Sequence, residues 1–136
     1  MYLTAEKHLC SYDDDEKLKV KKVNKIFNMK DVKSLTIKFE IGYWRKANHM
    51  HNWFVNNCQE TFITKEELIA FLKVLNSALD DKKNTKDILP TESGFFFGGT
   101  EYDKHYFNEI KRTIKIIEKA IKLYNEDYYI YYQTSW

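Results

Sequence analysis

The chain has 136 residues, enough for one compact domain over residues 1–136 that buries a core without metals or disulfides. Its 22 basic and 20 acidic residues leave a net charge of +2, so charge alone gives no reason to expect nonspecific binding to nucleic acid or to a membrane. Cys10 and Cys58 lack paired spacing, and no segment resembles a signal peptide or a membrane span, so we expect a reduced, cytoplasmic protein.

The first third of the chain contains two strand patterns separated by a charged segment. Residues 1–10 alternate apolar and polar side chains, which predicts a strand that must be tied into a sheet. Residues 11–33 are acidic and then rich in lysine, and they fit either a hairpin arm inserted into the domain or a short helix. Residues 34–41 alternate strictly, which predicts a strand that Gly42 ends.

Apolar side chains spaced three or four residues apart predict three helices. The second begins with Thr64 and Glu67 in a capping box, and the third begins with Thr100 as the N-cap and Asp103 in the capping-box position. The predicted helices span about 43–57, 64–79 and 100–124.

The remaining segments are predicted to be strands and a connection. Residues 59–63 favour a short strand, residues 80–87 a mobile polar connection, and residues 127–136 a strand. Strands at both ends of the chain, with helices between them, predict an α+β domain. We expect a small antiparallel or mixed sheet packed with about three helices.

The exposed side of the first predicted helix is rich in hydrogen-bond donors. Arg45, one of only two arginines, lies one turn from Asn48, and Asn52 follows one turn later, so the three project together. Such side chains suit an anion or a nucleotide base, although they could equally cap nearby backbone groups. The candidate binding residues of this helix are Trp44, Arg45, Asn48, His49 and Asn52.

A run of aromatic residues flanked by glycines forms the second candidate surface. Phe95, Phe96 and Phe97, together with Tyr102, could stack on a base or fill a pocket of a partner. If the run forms a strand, Phe95 and Phe97 point one way and Phe96 the other, so part of the run would be core. We expect the exposed part to lie beside the Arg45 helix.

The sequence offers little for catalysis or metal binding. His49 and His51 are two residues apart and point to different sides of a helix, which disfavours a shared metal. His51 and His105 are candidate bases, but no serine or cysteine has the sequence context of a nucleophile, and the glycines match no phosphate-binding motif. We therefore assign no catalytic residue, metal or cofactor and expect a binding protein rather than an enzyme.

Several stretches carry motifs beyond simple periodicity. They are Tyr43-Trp-Arg-Lys-Ala-Asn48 with His51, Trp53-Phe-Val55, Leu89-Pro-Thr91, Ser93-Gly-Phe-Phe-Phe-Gly98, Thr100-Glu-Tyr-Asp103 and Tyr132-Gln-Thr-Ser-Trp136. Together with the opening Met1-Tyr-Leu3 they resemble a widespread family of small proteins of tailed phages and prophages. The resemblance spans the chain and implies an accessory protein acting in the bacterial cytoplasm, but it supplies no activity.

Three functions follow as expectations. Small phage proteins without a catalytic signature commonly disable a host factor, so the first is a counter-defence inhibitor, similar to an anti-CRISPR protein, that contacts a host protein such as a CRISPR nuclease. The second is a pocket protein that sequesters a nucleotide signal, with Arg45 on a phosphate. The third is a small hydrolase that uses His51 or His105. A homodimer is compatible with the aromatic content, whereas we expect no membrane partner.

Overall fold

A four-stranded antiparallel sheet backed by helices forms the protein, as a computed structural model describes it over residues 1–30, 32–58, 61–93 and 98–134. The α+β prediction, with strands from both ends of the chain, is confirmed. In chain order the elements are β1 (Tyr2–Cys10), α1 (Asp14–Ile26), β2 (Ser34–Tyr43), α2 (Asn48–Asn57), β3 (Phe62–Ile63), α3 (Lys65–Asp80), α4 (Thr85–Ile88), α5 (Lys104–Asn125) and β4 (Tyr129–Gln133).

The strand nearest the start of the chain lies inside the sheet. The strand order is β2-β1-β4-β3, and each neighbouring pair is antiparallel. In this register Ala5 lies opposite both Phe39 of β2 and Ile130 of β4. β1 therefore pairs with a neighbouring strand along both of its edges, in agreement with the predicted strand that is held in a sheet.

One hydrophobic core lies between the sheet and the helices α3 and α5. Leu3 and Ile130 enter it from the sheet, and both are fully buried. The apolar stripes predicted for the two long helices supply the other side, because their members recur at helical spacing and face the strands. The fully buried members of these stripes are Leu68, Phe71, Leu75, Ile110 and Ile117.

The start of α3 follows its sequence signal. The Thr64 hydroxyl accepts a hydrogen bond from the Glu67 amide, and the Glu67 carboxylate accepts one from the Thr64 amide at 2.7 Å. Two amide groups that the helix leaves without partners are satisfied in this way. The predicted capping box is confirmed.

The boundary between β2 and α2 differs from the prediction. β2 does not end at Gly42 but continues to Tyr43, because Tyr2 of β1 extends the ladder and pairs with Tyr43. A turn follows, in which Lys46 has a left-handed φ of 61°, and the helix begins only at Asn48 rather than at residue 43. Pairing with a distant strand thus overrides the helical spacing of the local sequence.

Two further segments differ from expectation, and a third adopts one of its two predicted alternatives. Asp103, not Thr100, caps α5, since its carboxylate accepts the Tyr106 amide at 2.9 Å and the helix begins at Lys104. The segment 11–33 is a helix rather than a hairpin arm over Asp14–Ile26. The segment 80–87, predicted to be a mobile connection, contains the start of α4. There the buried Thr85 hydroxyl donates to the Ala78 carbonyl oxygen at 2.7 Å.

None of the helices in these four described ranges has the length and apolar character that a membrane span requires.

Gly42 is needed where the sheet meets α5. A Cβ at this position would lie 2.5 Å from Cγ2 of Ile116, so the Ile116 side chain or the backbone that carries it would have to shift. We expect Gly42→Ala to lower the free energy of unfolding in urea by about 1 to 3 kcal/mol through overpacking. Gly99→Ala is the matched control, because a Cβ there meets no atom within 4 Å, and it should change stability by less than about 0.5 kcal/mol. Equal effects of the two substitutions would contradict this account.

Candidate functional site

A polar cleft of about 330 Å³ lies between the turn that leads into α2 and the segment that leads into α5. The first wall is formed by residues 45–49 and the second by residues 98–109. The cleft is lined by Arg45, Lys46, His49, Gly98, Gly99, Glu101, Asp103, His105, Tyr106 and Glu109.

The turn before α2 brings two cations to the cleft. Trp44 is buried beneath the turn and donates its indole N–H to Thr113 of α5 at 2.8 Å, whereas Arg45 and Lys46 are exposed. The left-handed backbone at Lys46 turns its carbonyl oxygen toward Gly98, whose amide donates to it at 3.2 Å. A Cβ on Gly98 would lie 2.8 Å from that oxygen, so this close approach requires glycine.

The Asn48 side chain joins the two walls of the cleft. It is buried, its Nδ2 donates to the Gly99 carbonyl oxygen at 3.0 Å, and its Oδ1 accepts the Glu92 amide at 3.2 Å. Both backbone groups belong to the segments on either side of residues 94–97. Asn48 therefore fixes the position of these two flanks against the start of α2.

His49 contributes an unpaired imidazole nitrogen to the first wall. The residue is only 5% exposed, its ring centroid lies 4.4 Å from that of Tyr106, and its Nε2 has no hydrogen-bond partner. Burial, assisted by the nearby His105, lowers the pKa of His49 to about 4. The imidazole is consequently neutral near pH 7, with one nitrogen able to donate and the other to accept.

The second wall supplies carboxylates of different character. Glu109 has a side chain only 10% exposed, and burial raises its pKa, although His105 and Arg112 oppose this shift from 3.9 Å. Asp103 is engaged in capping α5. Glu101 is exposed. The cleft thus combines two cations, a neutral imidazole and carboxylates, a set that suits a ligand with an anionic group and separate donor groups.

The sequence-predicted site residues fall into three groups. Arg45 and His49 line the cleft together, and Asn48 supports it from behind. Trp44 is core, and Asn52 lies outside the cleft, where its side-chain oxygen accepts from Asn56.

The other predicted surface is only partly described. Tyr102 is exposed, accepts the Thr91 amide at 3.1 Å and packs edge-on against Tyr106 with ring centroids 5.0 Å apart. Phe95, Phe96 and Phe97 lie outside the described residues. The glycines that follow them, Gly98 and Gly99, do reach the same cleft as Arg45.

Lys46 and Glu109 line the cleft although sequence reasoning did not select them. Lys46 reaches it only because its backbone is left-handed, which nothing in the local sequence signals. Glu109 follows His105 by four residues on α5, so helical spacing places the two side chains on one face, and that signal could have identified it.

The candidate bases named from the sequence do not form a catalytic set. His51 lies within 2.9 Å of the Tyr132 hydroxyl, whereas the His105 side chain is 84% exposed at the edge of the cleft. Neither Cys58 nor Ser93 lines the cleft, and burial raises the pKa of the Cys58 thiol to about 12, which disfavours the thiolate. Over the described ranges no cluster of His, Cys, Asp and Glu could hold a metal ion.

The described residues define a small α+β domain with a mixed-charge cleft beside the first turn of its longest helix. Comparison of the chain with models of protein families, with curated proteins and with solved structures found no match in any of the three. The resemblance to tailed-phage proteins stays a prediction.

The buried His49 should make stability depend on pH. Its folded pKa of about 4 lies below the value near 6.5 of an unfolded chain, so the unfolded state alone takes up a proton as the pH falls through this window. Between about pH 7 and about pH 5, we expect the free energy of unfolding to fall by about 2 kcal/mol more in the native protein than in His49→Gln. Urea unfolding at both pH values measures this difference.

The exposed His105 provides the control. His105→Gln should keep most of the pH dependence of the native protein, because burial, the larger cause of the low pKa of His49, is unchanged in this variant. If His49→Gln also keeps the full dependence, His49 is not the group that titrates.

Proposed function

We propose that the protein binds a small anionic ligand of the nucleotide class in the cleft between residues 45–49 and 98–109. The observation that carries the proposal is the convergence of Arg45 and Lys46 with the buried His49, whose Nε2 lacks a partner. A buried polar atom without a hydrogen bond is costly, and a ligand atom would satisfy it. Arg45 can grip a phosphate with two parallel hydrogen bonds, and Lys46 adds a point charge.

The size and the carboxylates of the cleft favour a nucleotide over a simple anion. A volume of about 330 Å³ lies at the lower end of the range for pockets that hold organic ligands, and it greatly exceeds one phosphate group. An exclusively anionic ligand would be repelled by Glu101 and Glu109. A nucleotide carries hydroxyl and amino donors away from its phosphate, and these can donate to such carboxylates.

Sequestration is the role that this binding best supports. The described residues that line the cleft include no serine, threonine or cysteine that could attack a nucleotide, which favours holding a bound nucleotide over transferring part of it. The tailed-phage resemblance adds a setting, the cytoplasm of an infected bacterium, in which removing a nucleotide signal would silence a host defence.

Arg45 should dominate the affinity. The purified protein would be titrated calorimetrically with nucleoside monophosphates, nucleoside triphosphates, cyclic dinucleotides and inorganic phosphate. For a nucleotide that binds, we expect Arg45→Ala to weaken binding about 10- to 100-fold, since a hydrogen-bonded charge contributes about 1.5 to 3 kcal/mol. Arg45→Lys should recover only part of this loss, because lysine lacks the planar fork.

Lys111→Ala is the matched control, because it removes an exposed positive charge of α5 that does not line the cleft. Affinity for every nucleotide no greater than that for inorganic phosphate would reject the nucleotide class. Equal losses in Arg45→Ala and Lys111→Ala would reject the cleft as the site.

An inhibitor that acts by contact with a host protein is the second candidate, and the outer face of the sheet favours it. This face is opposite the one that carries Leu3, Ala5 and Ile130 into the core. Tyrosine is enriched in protein interfaces because its ring is apolar and its hydroxyl hydrogen-bonds. The aromatic residues of this face are Tyr2, Tyr43, Phe62, Tyr129 and Tyr131, with neighbouring ring centroids 5.1 to 5.9 Å apart.

The two candidate functions predict that substitutions at different residues abolish activity. The chain would be expressed in bacteria whose CRISPR nuclease restricts a phage, and phage plating would be measured. Inhibition through the sheet face predicts that Tyr43→Ala combined with Tyr129→Ala restores restriction, whereas Arg45→Ala and Val55→Ala, the latter an exposed apolar control on α2, do not. Sedimentation of the purified protein tests a homodimer through the same face. Restriction unaffected by the native chain would exclude this nuclease as the target.

A further inference from the structure

The helix α1 and the residues that flank it carry many of the exposed apolar side chains. Of the eleven large hydrophobic residues that are exposed in the described part of the chain, five lie between residues 12 and 29. Within α1 only Val20 is buried. The five are Tyr12 at 75%, Leu18 at 67%, Ile26 at 75%, Phe27 at 67% and Met29 at 39% exposure.

Positive charge is concentrated after the acidic run at residues 13–16. Residues 17–33 contain seven lysines and one acidic residue, Asp31, whereas the whole chain has a net charge of only +2, so the remainder is net negative. None of the seven lysines forms an ion pair with any other residue that the structure describes. They are Lys17, Lys19, Lys21, Lys22, Lys25, Lys30 and Lys33.

Helical geometry places the cations and the apolar groups on the same side. Leu18, Lys22 and Ile26 follow one another at intervals of four residues and therefore form one row along α1. Lys25 lies beside this row, and Val20, which anchors the helix to the protein, projects from nearly the opposite side. The outward surface of α1 thus presents two exposed apolar side chains, Leu18 and Ile26, among ammonium groups.

We propose that this outward surface of α1 binds an anionic lipid bilayer. Leu18 and Ile26 would enter the boundary between headgroups and acyl chains, while the lysines contact lipid phosphates with their stems along the apolar layer. The acidic residues of the first turn, Asp14 to Glu16, would be repelled, so the contact runs from Leu18 to the C-terminal end of α1.

The chemistry of the surface distinguishes a bilayer from nucleic acid. Lysines alone would suit both, because both present phosphates. The exposed Leu18 and Ile26, however, lie among the lysines, where a nucleic acid would place them against charged phosphates and a bilayer would remove them from water. This inference departs from the expectation of no membrane partner, which rested on a net charge that averages over two oppositely charged regions.

Vesicle flotation tests the proposal with the complete chain. We expect the protein to float with vesicles of phosphatidylcholine and phosphatidylglycerol, to bind weakly to phosphatidylcholine alone, and to be released by salt. Lys22→Gln combined with Lys25→Gln should lower the partition constant about 30-fold, as each lysine near the surface contributes roughly a fivefold factor. Leu18→Ser combined with Ile26→Ser should also reduce flotation.

Matched substitutions elsewhere separate a surface effect from a loss of structure. Lys111→Gln with Lys115→Gln on α5 removes two exposed lysines, and Val55→Ser on α2 removes an exposed apolar side chain; neither should change flotation. Urea unfolding of every variant shows whether it is folded. No flotation with anionic vesicles overturns the proposal. The proposal is also overturned if the protein binds duplex DNA as tightly as anionic vesicles and Leu18→Ser with Ile26→Ser changes neither affinity.

Discussion

A buried amide, the side chain of Asn48, is the constraint on which the geometry of the cleft depends. Its oxygen and its nitrogen are each committed to a backbone group of the segments that flank residues 94–97. Such a group cannot be exchanged for an apolar one without leaving a buried donor and a buried acceptor unpaired. The wall that carries Gly98 and Gly99 is thereby held to the start of α2 by specific bonds rather than by packing alone.

The cleft is also connected to the interior of the protein. Trp44 lies directly before the two cations of the turn, and its indole donates to Thr113 in the middle of α5. On the other wall the Tyr106 hydroxyl donates to the Leu89 carbonyl oxygen at 2.6 Å. Groups fixed in this manner would lose little freedom if the proposed ligand bound in the cleft, which would favour binding through few contacts.

Much of the fold can be predicted from the sequence, because the deciding information is local. The alternation at 34–41 and the paired Thr64 and Glu67 each specify a conformation within a few residues. The end of β2 cannot be predicted in this way, since it depends on the pairing of Tyr43 with the distant Tyr2. Thr100 and Asp103 are both acceptable helix caps by local rules, and contacts made elsewhere decide between them.

The candidate site is predicted less completely for the same reason. The chemistry of Arg45 and His49 is visible in the sequence, but their meeting with Glu109 requires the packing of α2 against α5. The net charge of the whole chain does not show that residues 17–33 form a positively charged region. Some properties depend on which residues are neighbours in space, such as a wall of the cleft, an unpaired nitrogen or a charged face. These properties are the hardest to predict from the sequence.

The position of β1 between β2 and β4 has a consequence for how the protein folds. Residues 2–6 can complete their pairing only with residues 129–133, so the central ladder closes the longest loop in the described chain. Such distant pairing slows folding, to roughly milliseconds or longer. During synthesis on the ribosome, β1 and β2 can pair early, but the other edge of β1 stays open until β4 emerges. Until then that edge can add a strand from another nascent chain, so the nascent protein is prone to aggregation until β4 has been synthesised.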